Sequence, residues 1–317
     1  MADILQINHV SKRYSNHLAL NDVSINIPEK SVFGLLGPNG AGKTSLIRII
    51  NQITGPDSGE IFFKGEKLDP KHVERIGYLP EERGLYKKMS VGDQVLYLAQ
   101  LKGLDKAEAK KRLKYWFEKF EMQTWWKKKI EELSKGMQQK VQFIVTVIHE
   151  PELLILDEPF SGFDPINAQL IKNEILELRK KGSTVIFSTH NMGSVEELCD
   201  NIALINKSEK ILDGSVKEIR KTYGDNTFKI SFTGNAMGFT NALWTGAEVV
   251  EKLEEDGINY FTVKLLNGIS SSKLLQTVLP ICEIHAFTEL IPSMNDIFIR
   301  KVNEGNEAIG TKSNFTE

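Results

Sequence analysis

The sequence predicts an α/β fold with a mixed, largely parallel sheet, followed by a small α+β domain. Three observations carry this. The runs SVFGLL (31–36), LLIL (153–156) and TVIFST (184–189) are continuously apolar or nearly so, as strands buried on both faces require. Helical stretches separate them. Beyond about residue 224 the pattern shifts to shorter strands, FKISF, YFTVKLL and EIHAFTEL, with helical segments at 235–243 and 272–279.

Each element has its own warrant. ILQINHV and ALNDVSINI alternate well enough for two or three strands within residues 1–30. GEIFFKG (59–65) reads as a hairpin strand and RIGYLP (75–80) as a strand ending at a loop. From about Val91 to Trp126 the period is helical, within an expected helical subdomain of about 91–140. Leu113, Trp116, Phe117 and Phe120 share one helix face, so they read as packing surface. Lys127–Lys129 reads as a solvated turn. A helix is expected near 168–181, and IALINKSEKILDG (202–214) closes the domain as a hairpin. KTYGDNT (221–227) reads as a linker. The expected division is 1–223, 224–303 and a polar, flexible tail at 304–317.

Bulk composition excludes several classes. The chain has 317 residues, 41% hydrophobic and 26% charged, with a net charge of -2. Such a balance offers no global basic field for nucleic acid. No apolar run approaches the ~18 residues of a membrane helix. The opening MADILQINHV lacks a basic-then-apolar export signal. Cys199 and Cys282 fit no metal spacing and read as buried, reduced thiols.

GPNGAGKT (37–44) matches the phosphate-cradling pattern G-x-x-x-x-G-K-[ST] at every fixed position. It follows a strand and opens the helix SLIRIIN, whose positive end favours an anion. The candidate binding residues are Gly37, Pro38, Asn39, Gly40, Ala41, Gly42, Lys43, Thr44 and Ser45. Lys43 would reach outer phosphates and the Thr44 hydroxyl would ligate Mg2+. In LLILDE, Asp157 emerges at a strand's carboxyl end, placed to hold Mg2+. Glu158 follows, placed to polarise an attacking water.

LSKGM (133–137) lies about twenty residues before that acidic pair. With it the chain resembles the nucleotide-binding subunits of ABC transporters, whose usual signature is LSGGQ. The resemblance spans residues 1 to about 220. It implies a P-loop NTPase cassette: a mixed, largely parallel core, an antiparallel β subdomain and a helical subdomain. It implies that Ser134 and Gly136 contact the ATP of an opposite subunit and that SGFDP (161–165) is the D-loop. It further implies that His190 orients the water and that Tyr14 stacks on adenine. Glu81 stands where the family has glutamine; a carboxylate can still ligate Mg2+. Lys135 and Met137 also depart from the signature.

ATP and Mg2+ are therefore the expected cofactors. The implied partners are a second ATPase subunit and a separate membrane permease, with no nucleic acid and membrane contact only through the permease. The implied location is cytoplasmic, at the inner face of the cell membrane. EERGLY (81–86) and ELIPSMNDIF (289–298) resemble an export-type subgroup, some of it linked to sodium efflux or drug resistance. The alternatives are a soluble ABC ATPase acting on ribosomes or DNA, a GTPase reading guanine through NKSE (206–209), and a C-terminal domain that senses a ligand.

Overall fold

A computed structural model describes residues 2–82, 84–243 and 246–310, with side chains through 304. Two compact units result, one of residues up to 216 and from 298, the other of 217–297.

The first unit opens with β1 (Asp3–Tyr14), β2 (His17–Pro28), β3 (Val32–Leu36) and α1 (Lys43–Ile50). β4 (Ser58–Phe63), β5 (Glu66–Lys67) and β6 (Ile76–Leu79) follow, then helices α2 (Val91–Leu101), α3 (Lys106–Lys119) and α4 (Lys135–Val147). The chain next alternates β7 (Leu153–Asp157), α5 (Pro165–Lys180), β8 (Thr184–Ser188) and α6 (Met192–Leu198). The hairpin β9 (Asn201–Asn206) and β10 (Glu209–Ser215) completes it.

Six strands form the central sheet in the order β10-β9-β3-β8-β7-β6. Its inner pairings are parallel and β10 joins antiparallel. β3, β7 and β8 are buried at every position, which explains their apolar runs. A second, antiparallel sheet has the order β2-β1-β4-β5. α1 lies in the core common to both sheets: Leu46, Ile47 and Ile50 cluster with Leu5, Leu20 and Phe63 and with Phe33, Ile155 and Ile186. Each such side chain contributes about 1.5–3 kcal/mol by burial. That packing fixes the helix whose first turn borders the phosphate loop.

Leu113, Trp116, Phe117 and Phe120 are all buried. Trp116 meets Phe143 of α4 edge-on. The stripe is thus packing surface, as its spacing predicts.

The second unit is a β-α-β-β-α-β arrangement. It comprises α7 (Val216–Thr222), which straddles the division, β11 (Thr227–Gly234), α8 (Ala236–Ala242), β12 (Ala247–Glu255), β13 (Ile258–Leu265), α9 (Ser271–Val278) and β14 (Cys282–Glu289). The antiparallel sheet has the order β12-β13-β11-β14. Phe232 stacks on Phe239 at its core, and Phe261 meets both edge-on. β12 is a strand the sequence pattern does not reveal. It is an edge strand, held by backbone bonds to β13 and mostly exposed, so AEVVEKLEE needs little apolar character. Helix α7 also reaches Thr222, inside the segment read as linker. Finally, α10 (Met294–Gly310) carries the chain helically through 304–310. Arg300 and Lys301 both pair with Glu304 there, at helical spacing. Residues 311–317 of the expected tail lie outside the described residues.

Candidate active site

The parallel order β3-β8-β7 brings three carboxyl ends together, where open α/β sheets bind ligands. The loop after β3 turns on glycines. Gly37 and Gly42 have φ of 149° and 118°. A Cβ at Gly37 would stand 2.1 Å from the Ile205 carbonyl oxygen, and at Gly42 2.2 Å from that of Ala19. Only glycine satisfies both demands. Gly42 caps α1, whose first turn has no acidic side chain to compensate its dipole.

Lys43 is buried and folds back on the loop. Its Nζ donates to Gly37 O at 2.7 Å and to Pro38 O at 3.1 Å. Burial pulls the pKa of this amine down, while Glu158, Asp157 and Glu81 oppose the shift. Asp157 is buried at the end of β7, beside Ser188 of β8. Burial, and then the charges of Glu81 and Glu158, push its carboxyl above the usual range; Lys43 opposes. Burial and Asp157 also raise Tyr78, to about 12.

Glu158 has φ of 47°, a left-handed conformation that a non-glycine residue adopts at some strain. Its backbone N–H donates to Ser188 O at 2.9 Å, tying the turn to β8. Its Oε1 accepts from His190 N–H at 3.0 Å and lies 2.7 Å from His190 Nδ1. Oε2 accepts from the Thr189 hydroxyl at 3.2 Å. The carboxylate is thus oriented by three groups that follow β8. The His190 side chain is 74% exposed, open to a bound molecule.

These residues share a cleft of about 240 Å³. Asn39, Gly40, Gly42, Lys43, Thr44, Ser45, Glu81, Asp157, Glu158 and His190 all line it. Gly37, Pro38 and Ala41 shape the loop behind. Tyr14, Ser134 and Gly136 stand outside the lining. Tyr14 is 39% exposed at the β1–β2 turn, with Lys12 Nζ 5.5 Å from its ring centre. Ser134 is exposed and caps α4, accepting from Met137 N–H at 3.3 Å. Gly136 faces Phe163 of the D-loop segment, 3.9 Å from where a Cβ would sit. The cleft also includes Ser161, the first residue of the expected D-loop, and His17 and Ala19, which sequence reasoning did not single out. His17 pairs with Tyr14 across the turn, so only the fold of the antiparallel sheet points to it.

A family model for the ABC transporter matches residues 20–161, and one for the C-terminal domain of DrrA1-3-like ATP-binding proteins matches 214–302. The uncharacterized ABC transporter ATP-binding protein YhaQ of Bacillus subtilis (strain 168) is 42% identical over 300 residues, 94% of this chain and 98% of that protein. This chain belongs to the ABC transporter ATP-binding proteins. It is an ATP-binding, ATP-hydrolysing subunit of that family. The linearmycin resistance ATP-binding protein LnrL of the same organism is 33% identical, over 78% of this chain and 80% of LnrL. A solved ATP-binding subunit of an ABC transporter superposes with a TM-score of 0.65 at 29% identity, covering 69% of this chain and 93% of that one. Clostridium perfringens cbiO1, part of the cbiONQ complex, gives 0.61 at 29% identity, covering 70% and 94%. The NKSE segment falls at the β9–β10 turn of this cassette.

Proposed function

We propose that two ATPase subunits clamp two ATP molecules between them and drive export through a separate membrane permease. The convergence of Lys43, Thr44, Asp157, Glu158 and His190 on one cleft carries this reading. Lys43 neutralises the outer phosphates. Glu158, held by Thr189 and His190, orients the water and accepts its proton; His190 contacts the terminal phosphate. Ser134 and Gly136 sit outside the cleft, which suits contact with a nucleotide held by the second copy. Tyr14 stacks on the adenine from the β1–β2 turn.

The oxygen donors Thr44, Asp157 and Glu81 fit Mg2+. Among the described residues no group of three or more His, Cys, Asp or Glu forms a metal cage. None is needed, because Mg2+ commonly takes one or two carboxylates and completes its shell with phosphates and water. A cation there would offset the burial, and then the repulsion from Glu81 and Glu158, that raise Asp157. When bound, Mg2+ supplies charge neutralisation at the transferred phosphoryl group.

Residues 1–223 serve as the ATP-binding domain and 224–303 as an accessory domain. No described helix is long and apolar enough to cross a membrane, which supports a separate permease and a cytoplasmic, membrane-peripheral subunit. The cbiO1 complex supports such an assembly. The lantibiotic transport protein SrtF of Streptococcus pyogenes, 33% identical over 66% of this chain, supports export, as does LnrL. These relatives favour a transporter subunit over an ATPase acting on ribosomes or DNA. The test is Glu158→Gln. It should retain ATP binding, lose turnover and elute as an ATP-trapped dimer on size exclusion. Hydrolysis at the parent rate sinks the role of Glu158; a strict monomer sinks the clamp.

A further inference from the structure

Positive charge is unevenly distributed in this chain. Residues 86–133 hold twelve lysines and arginines against seven acids, a net of +5, while the whole chain carries -2. Folding concentrates the lysines further. Residues 87–92 run beside 126–131. Ile130 N–H donates to Met89 O at 3.1 Å, Val91 N–H to Lys128 O at 2.9 Å and Glu131 N–H to Lys87 O at 3.1 Å. This brings the segment of Lys87 and Lys88 alongside that of Lys127, Lys128 and Lys129. On α3, Lys110, Lys111 and Lys114 line one shallow depression with Trp126. The Trp126 ring packs edge-on against Phe117 and covers Gly92. Helix lysines and turn lysines therefore flank one anchored tryptophan.

All eight lysines are exposed. Three have carboxylates at 3.7–4.0 Å: Lys111 with Glu108, Lys114 with Glu118 and Lys129 with Glu131. Among the described residues, the other five make no ion pair. Arg112, the arginine of this stretch, is already taken up by Glu108 and Glu150.

We propose that this face binds the anionic headgroups of the membrane surface, through Lys87, Lys88, Lys110, Lys127 and Lys128 around Trp126. Clustered lysines beside an amphipathic ring suit a diffuse, hydrated anionic plane. Bidentate recognition of nucleic acid would call for free arginine forks. The contact adds to the one through the permease. It rests on the subunit working at a membrane, but not on the clamp or on Glu158.

The test is co-sedimentation of the full chain, without permease, with phosphatidylcholine vesicles and with vesicles half phosphatidylglycerol. Binding to the anionic vesicles alone, weakening with salt, is expected. Replacing Lys110, Lys127 and Lys128 together by Glu should reduce that binding about tenfold or more. Replacing Lys30, Lys180 and Lys273 by Glu makes the same change in net charge elsewhere and should leave it within about twofold. Circular dichroism and ATP turnover in solution check that both variants are folded. Absent vesicle binding, or equal losses in the two variants, overturns the proposal. So does a patch variant that keeps vesicle binding while losing co-purification with the permease, which would assign the lysines to an acidic protein face. A failed Glu158→Gln experiment leaves this one intact.

Discussion

At the scale of single residues, backbone conformation decides most of the site. Gly42 must have φ of 118° beneath the Ala19 carbonyl, and Glu158 sits at φ 47°. In Gly42→Ala the added Cβ must displace the β2 backbone or the loop, so ATP binding should weaken by at least tenfold while the fold persists. Lys43→Ala removes the buried cation flanked by three carboxylates and should abolish binding of a fluorescent ATP analogue. Unchanged affinity in Lys43→Ala would refute the cradle. The cleft residues of GPNGAGKT were legible because their pattern states its own chemistry. His17 and Ala19 were not, because nothing in their local sequence marks them; the close approach of β2 to the phosphate loop, with the Ala19 carbonyl against Gly42, brings them there. Cys199 is buried and its thiol is pushed up by that burial and by Asp200, so it is inert, as its apolar setting suggested.

At the scale of elements, the buried strands were the most legible and the exposed edge the least. β3, β7 and β8 announce themselves because both faces must be apolar. β12 does not, since backbone pairing alone holds it. The same logic bears on where a permease would dock. α2 presents Tyr97, 45% exposed, which meets Tyr86, 53% exposed, edge-on at 6.4 Å. A paired aromatic surface left in water suits an interface. With Leu85 it forms the contact we propose for the permease, on the 81–89 stretch and the helix that follows; Arg83 lies outside the described residues. Changing Leu85 and Tyr86 to Asp should abolish co-purification of the permease and leave ATP turnover in solution within about twofold. Undiminished recovery would place docking elsewhere.

At the scale of the whole molecule, stability should fall in acid. His149 is held down to about 4, chiefly by burial and then by the charges of Lys102 and Arg112. In the unfolded chain it takes its proton near 6.5. Between those values the unfolded state binds more protons, so stability decreases as pH falls from about 6.5 to about 4. The largest loss from this residue is about 3 kcal/mol. Glu152 acts in the same direction at lower pH. Arg75 and Lys64 hold it near 2, so its contribution, present above its ordinary 4.5, is lost as pH falls through about 2. Urea midpoints of His149→Gln between pH 7 and 4 should vary less steeply than those of the parent; an equal slope would show that another group governs the acid limb.

Residue order alone specifies the cassette, its phosphate loop, its acidic pair and the succession of its motifs. Those features are local: a glycine turn, a doubly buried strand and a helix start each carry their requirements within a few residues. It takes the packed fold to place Glu158 in the grip of His190 and Thr189, to bring His17 into the cleft and to gather distant lysines around Trp126. Such facts depend on which strand pairs with which and which loop crosses beside it, and pairing is set by packing of the whole core, not by any single segment.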